Sequence, residues 1–186
     1  MNTMHKILMS SVFVVVSLTA CKKDNDNPQN PPEVVNEEEV ITTMKLIFTE
    51  STGSYPVDTV TFRDPDGTGG IAPDIHDTIN LHPNLLFHTR ILLLNESTSP
   101  ADTISNEVLE EGSDHLFCFS PSSIALGIAR TDSDGTFEIG LESDWSTGDS
   151  GEGSVTVTLK HQPGIKDGTC DPGETDIEVN FVTRIQ

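Results

Sequence analysis

Three observations predict that residues 41–186 form an all-β sandwich. Apolar and polar residues alternate over short segments, as at Met44, Leu46 and Phe48. Turns rich in Gly, Pro, Asp and Ser separate these segments, and the stretch has room for one short helix. Alternation with a period of two is typical of strands with one buried face. Short strands at this spacing favour an antiparallel, immunoglobulin-like sandwich.

The elements are predicted in order from this pattern. Segments in which β-branched or aromatic residues alternate with Thr, Lys or Arg are read as strands. The predicted strands cover residues 44–49, 59–63, 77–81, 87–94, 115–119, 124–131, 137–142, 155–160 and 176–185. A helix of a turn or two is expected over residues 103–110, with Ser105 as its cap.

The first twenty residues predict an export signal. Lys6 in a short basic start precedes an apolar stretch over residues 7–18, and the small residues Thr19 and Ala20 follow. At 1.5 Å per residue the apolar stretch spans about 18 Å, too short for a hydrocarbon core of about 30 Å. We therefore expect residues 1–20 to be a cleaved signal peptide.

Cys21 ends the tetrapeptide Leu18-Thr19-Ala20-Cys21, which matches the bacterial lipobox. In that pattern the thiol receives a diacylglycerol and the new amino terminus is acylated, commonly with palmitate. Two or more acyl chains give stable anchoring, whereas one chain holds only marginally. The alternative is an ordinary cleavage near Ala20, which leaves Cys21 as a free thiol. The lipobox thus predicts a lipoprotein that is anchored to a membrane without crossing it.

Residues 21–40 are predicted to be a disordered tether behind the lipid. They are rich in Asn, Asp, Glu and Pro and poor in apolar side chains, so burial cannot offset the entropy of ordering them. A flexible chain of this length reaches roughly 25 Å. Lys22 and Lys23, followed by Asp24, resemble the charged segment that sends some Bacteroidota lipoproteins to the outer face of the outer membrane. The expected location is the bacterial outer membrane, with surface exposure as a further expectation.

The charge of the chain is strongly acidic and excludes one class of partner. Nine basic and thirty acidic residues lie from Cys21 onward, which gives the mature chain a charge of −21. Because phosphate binding requires clustered Lys and Arg, nucleic acid is not an expected partner. Solubility at high local density is the plainest role for the charge.

Six short motifs occur in order along the predicted domain: residues 41–43 (ITT), 63–67 (RDPDG), 93–97 (LLNES), 114–117 (DHLF), 161–163 (HQP) and 173–179 (GETDIEV). In this order they resemble a family of small Bacteroidota envelope lipoproteins with a β-sandwich domain. The family has no established activity, so the resemblance implies fold and location and no site residues. Cys118 and Cys170 depart from the family pattern.

Two Asp-x-Asp-Gly loops raise a calcium hypothesis, and no other cofactor is expected. Asp64 and Asp66 lie in the first loop, and Asp132 and Asp134 in the second. Calcium takes six to eight oxygen ligands, and an EF-hand needs a Glu six residues after the Gly. Neither loop has one. Asp and Gly are also selected by ordinary β-turns, so a turn without metal is the competing interpretation.

Two catalytic or metal patterns are weighed against plainer ones. Ser150 lies in a Gly-Asp-Ser-Gly sequence that resembles the nucleophile segment of trypsin-like proteases, but the domain is too small for that fold and a hairpin loop is favoured. Zinc could be held by His82, His88, His115 and His161 with Cys118. His115 and Cys118 have opposite parity on one strand, so they are not expected to converge.

Cys118 and Cys170 are the thiols left after lipidation, and export places them where disulfides persist. A bond between them would close a long loop and contribute roughly 4 kcal/mol. The alternative is one buried and one exposed free thiol.

The predicted function is therefore non-enzymatic: a membrane-anchored lipoprotein that displays a sandwich as a binding or structural module. Trp145 and Tyr55 are the single Trp and Tyr of the chain. With so few aromatic platforms, core packing is the expected role of Trp145. The partner would be an envelope protein or a glycan, calcium or glycan binding is the alternative function, and a hydrolase comes third.

Overall fold

The computed structural model describes residues 39–67 and 70–186, and these fold into two packed β-sheets with one short helix. The strands are β1 (Thr43–Glu50), β2 (Asp58–Arg63), β3 (Ile75–His76), β4 (Ile79–Leu81), β5 (Leu86–Leu94), β6 (His115–Ser122), β7 (Leu126–Arg130), β8 (Glu142–Thr147), β9 (Gly151–His161) and β10 (Glu174–Ile185). The helix, α1, is Ile104–Glu110. The prediction of an all-β sandwich is confirmed at this level.

The strands divide into a sheet of six and a sheet of four. The first sheet has the order β3-β2-β1-β5-β8-β7, and the second has the order β4-β10-β9-β6. All neighbours are antiparallel except β4, which runs parallel to β10. The expectation of a fully antiparallel sandwich is therefore wrong at this one edge. The chain leaves β3 in the first sheet and enters β4 in the second within a few residues, and no hairpin joins β4 to its neighbour β10, so the connection does not force an antiparallel pair.

The core lies between the sheets and is built by the inward residues of each strand. Phe48 and Trp145 from the first sheet meet edge to face at 5.2 Å between ring centroids. Phe119 from the second sheet meets Trp145 at 5.8 Å. On β10 the alternate residues Val179, Phe181, Thr183 and Ile185 are buried, as a strand with one wet face requires. Trp145 is fully buried, so its predicted core role is confirmed.

Two of the predicted strands differ from the structure. Residues 137–141 do not form a regular strand, and the strand is Glu142–Thr147, which buries Ser143, Trp145 and Thr147. Two of these inward residues are small and polar, so the hydrophobic pattern does not mark the strand. Residues 77–81 are predicted as one strand, but the strand there is the shorter β4, Ile79–Leu81, and β3 (Ile75–His76) lies just before it in the other sheet.

The helix is confirmed, but its cap is not Ser105. Thr103 occupies the N-cap position and makes no side-chain capping bond. The Ser105 hydroxyl accepts a hydrogen bond from the Leu93 amide at 2.5 Å, so this serine ties α1 to β5 instead. The segment before Gly151 is likewise no hairpin, since β8 and β9 lie in different sheets and residues 148–150 cross between them.

Candidate functional site

An acidic cleft of about 330 Å³ lies where the described chain enters the domain. Residues from the chain entry, from the end of β2 and from the start of β10 line it. Its carboxylates come from Glu39, Asp64, Asp176 and Glu178. Among the described residues that line the cleft none is Lys, Arg or His, so the cleft itself contains no compensating cation.

The electrostatics of the cleft are clearest at Glu39. Burial raises the pKa of Glu39 to about 7, with further contributions from Glu107, Glu111 and Asp176. The carboxylates around it disfavour a second negative charge in a partly desolvated place. Near neutral pH this carboxyl therefore holds a proton that a cation could replace.

The first Asp-x-Asp-Gly loop contributes to the same cleft through Asp64. Asp64 is 9% exposed, and its Oδ1 has no hydrogen-bond partner among the described residues. Burial and a hydrogen bond with the Asp66 carboxyl raise the pKa of Asp64. The Ile71 amide, which donates to Asp66, holds the pKa of Asp66 below its usual range. On acidification Asp64 therefore takes up its proton before Asp66 does.

Behind the cleft, two histidines and a carboxylate form a buried cluster. His115 is fully buried, His161 is 9% exposed, and the side chain of Asp176 is 1% exposed. The imidazole rings stack at 4.7 Å between centroids with an interplanar angle of 7°. Nε2 of His115 lies 3.8 Å from Oδ2 of Asp176. Each residue offers one ligand atom such that all three atoms lie within 4.8 Å of one another.

Strand register brings these residues together. His115 opens β6, His161 closes β9, and the two are direct partners in the antiparallel ladder. Asp176 lies on β10 where the pairing with β9 shifts register between Thr175 and Ile177. Such a bulge places an extra residue out of the normal alternation and re-aims its side chain. The bulge is what turns Asp176 inward.

The return of the chain to β10 is tight against His161. Gly173 has φ +81°, and a Cβ atom at this position would lie 2.1 Å from the carbonyl oxygen of His161. A residue with a side chain would be strained there and would also clash with backbone. Glycine thus allows β10 to begin beside the histidine pair.

His115 has a defined tautomer. Its Nδ1 lies 3.1 Å from the carbonyl oxygen of Glu111, and because a carbonyl only accepts, Nδ1 carries the proton. Nε2 of the neutral ring is then an acceptor. It is buried and has no hydrogen-bond partner in the described part of the chain. Burial lowers the pKa of His115, so the neutral ring is the favoured form at pH 7.

The second Asp-x-Asp-Gly loop lies at another place, and its Asp134 is paired with a lysine. Oδ2 of Asp134 forms an ion pair with Lys166 at 2.9 Å. Its Oδ1 accepts the amides of Thr136 and Phe137. These contacts hold the pKa of Asp134 at about 2. Asp132 accepts the Gly140 amide through Oδ1 at 2.7 Å.

The two loops of the calcium hypothesis therefore differ in the partners of their carboxylates. Asp132 and Asp134 serve as turn-forming acceptors, and a lysine already occupies the charge position at Asp134. Within the described residues no lysine forms an ion pair with Asp64 or Asp66, and Asp66 accepts a hydrogen bond from the Ile71 amide. Calcium binding at either loop stays a prediction.

Cys118 on β6 is bonded to Cys170 in the loop between β9 and β10. Their Cα atoms lie 6.1 Å apart, within the geometric range for a disulfide. The bond closes a separation of 52 residues. It also removes Cys118 from the set of candidate zinc ligands. As the parity argument predicted, Cys118 and His115 do not converge.

Ser150 is exposed in the crossing between β8 and β9. Each histidine in the described part of the chain contacts a residue other than Ser150. His76 bonds Asn180, His82 stacks on Tyr55, His88 pairs with Asp144, and the other two stack on each other. Of the histidines considered as zinc ligands, the structure brings together His115 and His161.

Cys21, the signal peptide and residues 22–38 of the tether lie outside the described residues. No helix in the described ranges is long and apolar enough to span a bilayer.

No family model, no curated protein and no solved structure matches this chain. The site therefore has to be interpreted from its own chemistry.

Sequence reasoning missed the combination of His115, His161 and Asp176. Two signals pointed to it: the inward parity of His115 with Phe117, and the position of His161 at the end of a long alternating segment. Neither signal places the two histidines opposite each other, since the pairing of β6 with β9 is a tertiary choice. The bulge at Asp176 leaves no mark in the hydrophobic pattern.

Proposed function

We propose that the protein is a lipid-anchored envelope lipoprotein that displays its sandwich as a non-catalytic binding module. The acidic cleft and the loops beside it form the contact surface. The lipid anchor is Cys21, residues 21–40 are the tether, and the location is the bacterial outer membrane. The immunoglobulin-like arrangement and the resemblance to small Bacteroidota envelope lipoproteins belong to the same proposal.

The observation that carries the binding role is the concentration of carboxylates in the cleft. Glu39, Asp64, Asp176 and Glu178 line one concave surface, and burial, with a further contribution from nearby carboxylates that include Asp176, raises the pKa of Glu39. Gathering like charges in a partly desolvated place opposes folding unless a cation or a proton balances them. The partner that fits best is an envelope protein with a basic surface segment, since complementary charge favours encounter and register.

Anchoring is tested first, with the full chain and its Cys21→Ser variant in cells. The native protein should fractionate with membranes, and inhibition of the lipoprotein signal peptidase should make its precursor accumulate. The Cys21→Ser variant should lose the lipid. Normal processing under inhibition, or equal membrane retention of the variant, would remove the anchoring part of the proposal.

Binding is tested by affinity capture from intact cells with the lipidated protein. The cleft variant Asp64→Asn/Glu178→Gln should recover less partner, because it removes two charges and keeps nearly the same volume. The control variant Glu110→Gln/Asp149→Asn neutralises two exposed carboxylates that do not line the cleft. If both variants capture equally, the cleft is not the contact surface.

A further inference from the structure

The cluster of His115, His161 and Asp176 has a chemistry that the proposed function does not use. Two buried imidazoles and a buried carboxylate converge, with their ligand atoms within 4.8 Å of one another. Imidazole nitrogen and carboxylate oxygen are standard ligands of zinc and related divalent metals. In a purely structural cluster, the buried nitrogens of both histidines would be hydrogen-bonded.

His115 is arranged as metal-binding histidines usually are. Its Nδ1 proton goes to the backbone carbonyl of Glu111, which fixes the tautomer and the ring orientation. An outer hydrogen bond of this kind is the usual support for a ligating imidazole. The opposite nitrogen, Nε2, is fully enclosed, has no hydrogen-bond partner among the described residues, and lies 3.8 Å from the Asp176 carboxylate.

A neutral imidazole nitrogen and a carboxylate oxygen are both acceptors. Placed 3.8 Å apart without a hydrogen between them, they repel each other, and burial strengthens that repulsion. A cation between Nε2 and Oδ2 turns the same geometry into an attraction. The distance suits a metal ion bound to both atoms, because ligand atoms about 2.0–2.2 Å from zinc are separated by more than a direct hydrogen bond.

His161 supplies a second ring nitrogen to the cluster. Nδ1 of His161 is buried and also has no hydrogen-bond partner in the described ranges. The two rings are nearly parallel, so their in-plane lone pairs do not meet at one point. Metal binding therefore requires one ring to rotate out of the stack. His161 is the ring with room to do so, since it is 9% exposed and ends its strand.

The surrounding charge favours a cation at this place. Glu39 and Glu111 each offer an oxygen within 4.8 Å of a ring nitrogen of His115 and of each other. Glu39 also lines the acidic cleft, which connects the cluster to the outside. A strongly acidic cleft raises the local concentration of cations. A carboxylate is thus at hand to complete the coordination of an ion held by three protein ligands.

We propose that His115, His161 and Asp176 bind one divalent transition metal ion of the zinc class. Nitrogen ligands select zinc, nickel or copper over calcium and magnesium, which prefer all-oxygen sites. The proposal goes beyond the function above and does not depend on the lipid anchor, so membrane anchoring can fail while the metal site stands, and the reverse.

The test uses the full chain, purified in detergent without a histidine tag and stripped with a chelator. Equilibrium dialysis against zinc, followed by metal analysis, should give one zinc per chain. His161→Ala and Asp176→Asn should each weaken binding at least about tenfold, since loss of an outer partner alone typically costs 10–100-fold. The control His88→Ala removes an exposed histidine that pairs with Asp144, and it should bind zinc as the native chain does.

Two further readouts keep the test decisive if one variant fails to fold. Asp176→Asn keeps the volume of the side chain, and circular dichroism will show whether each variant retains its sheets. In proton NMR of the native chain, zinc should shift the ring protons of His115 and His161 as the stack opens. No bound zinc, or binding that is equal in the His161→Ala, Asp176→Asn and His88→Ala variants, would overturn the proposal and leave adventitious binding to surface carboxylates.

Discussion

The cluster around Asp134 and the cluster around Asp176 share one connection, residues 162–173, and they are balanced in different ways. That loop carries Lys166, whose ammonium pairs with Asp134 at 2.9 Å. The loop begins directly after His161 and leads into β10, which carries Asp176. The first carboxylate thus meets a permanent cation of its own chain. The second meets a neutral imidazole nitrogen at 3.8 Å.

The difference teaches how to separate structural acidic residues from binding ones. The Asp134 carboxylate accepts from three donors, namely the Lys166 ammonium and the amides of Thr136 and Phe137, and its pKa is about 2. Such a group is satisfied by the fold and needs no ligand. In the other cluster His115 and His161 each retain a buried nitrogen without a hydrogen-bond partner among the described residues. The His115 nitrogen faces a carboxylate instead of a donor, which favours a cation from outside.

The largest expected effect comes from releasing the shared loop. Cys118→Ser/Cys170→Ser removes the bond that ties the loop to β6, across 52 residues of chain. We expect the free energy of unfolding to fall by about 4 kcal/mol, because the unfolded chain regains the entropy that the bond denied it. Urea unfolding measures this loss. Reduction of the native chain should reproduce it, whereas the double variant should not respond to reductant; equal stability of all forms would contradict the prediction.

Breaking the ion pair between Lys166 and Asp134 should have the next largest effect on the free energy of unfolding. Lys166→Met leaves the Asp134 carboxylate without its cation in a place where the two side chains are 2% and 10% exposed. The expected loss in the free energy of unfolding is about 3 kcal/mol, the range for a buried pair with one partner removed. Urea unfolding at pH 7 measures it.

A second variant separates the charge effect from lost packing. Lys166→Met/Asp134→Asn removes both charges and keeps an acceptor for the Thr136 amide, so it should recover most of the loss. If the double variant is as unstable as Lys166→Met alone, the ion pair is not the reason for the loss.

The smallest expected effect is on the acid dependence of stability. The folded-state pKa of Asp134 is about 2, below its usual value of 3.8. The stability that this group contributes is therefore present above pH 3.8 and is lost as the pH falls through about 2. Asp134→Asn should flatten the curve of unfolding free energy against pH in that window and leave its shape near pH 7 unchanged. A curve with the native slope between these pH values would show that the amide of Phe137 and the ammonium of Lys166 do not lower the pKa of Asp134.

Much of the fold was predictable because a strand with one buried face has alternating apolar and polar residues. Met44, Leu46 and Phe48 indicate β1, and the short helix is evident from residues 103–110. β8 escaped prediction because its inward residues are Ser143, Trp145 and Thr147, which do not form an apolar stripe. The parallel pairing of β4 with β10 was not predicted either, since it depends on which sheet each short strand joins.

The sequence by itself determined the all-β character, the turns and the acidic charge, since these follow from residue type and spacing. Its alternation pattern also indicated that His115 faces inward on its strand. The convergence of His115 with His161 and Asp176 was decided by the tertiary structure alone. Register between β6 and β9 sets the histidine pair, and a bulge on β10 turns the carboxylate toward it. Both depend on contacts between segments far apart in the chain, which local periodicity cannot specify.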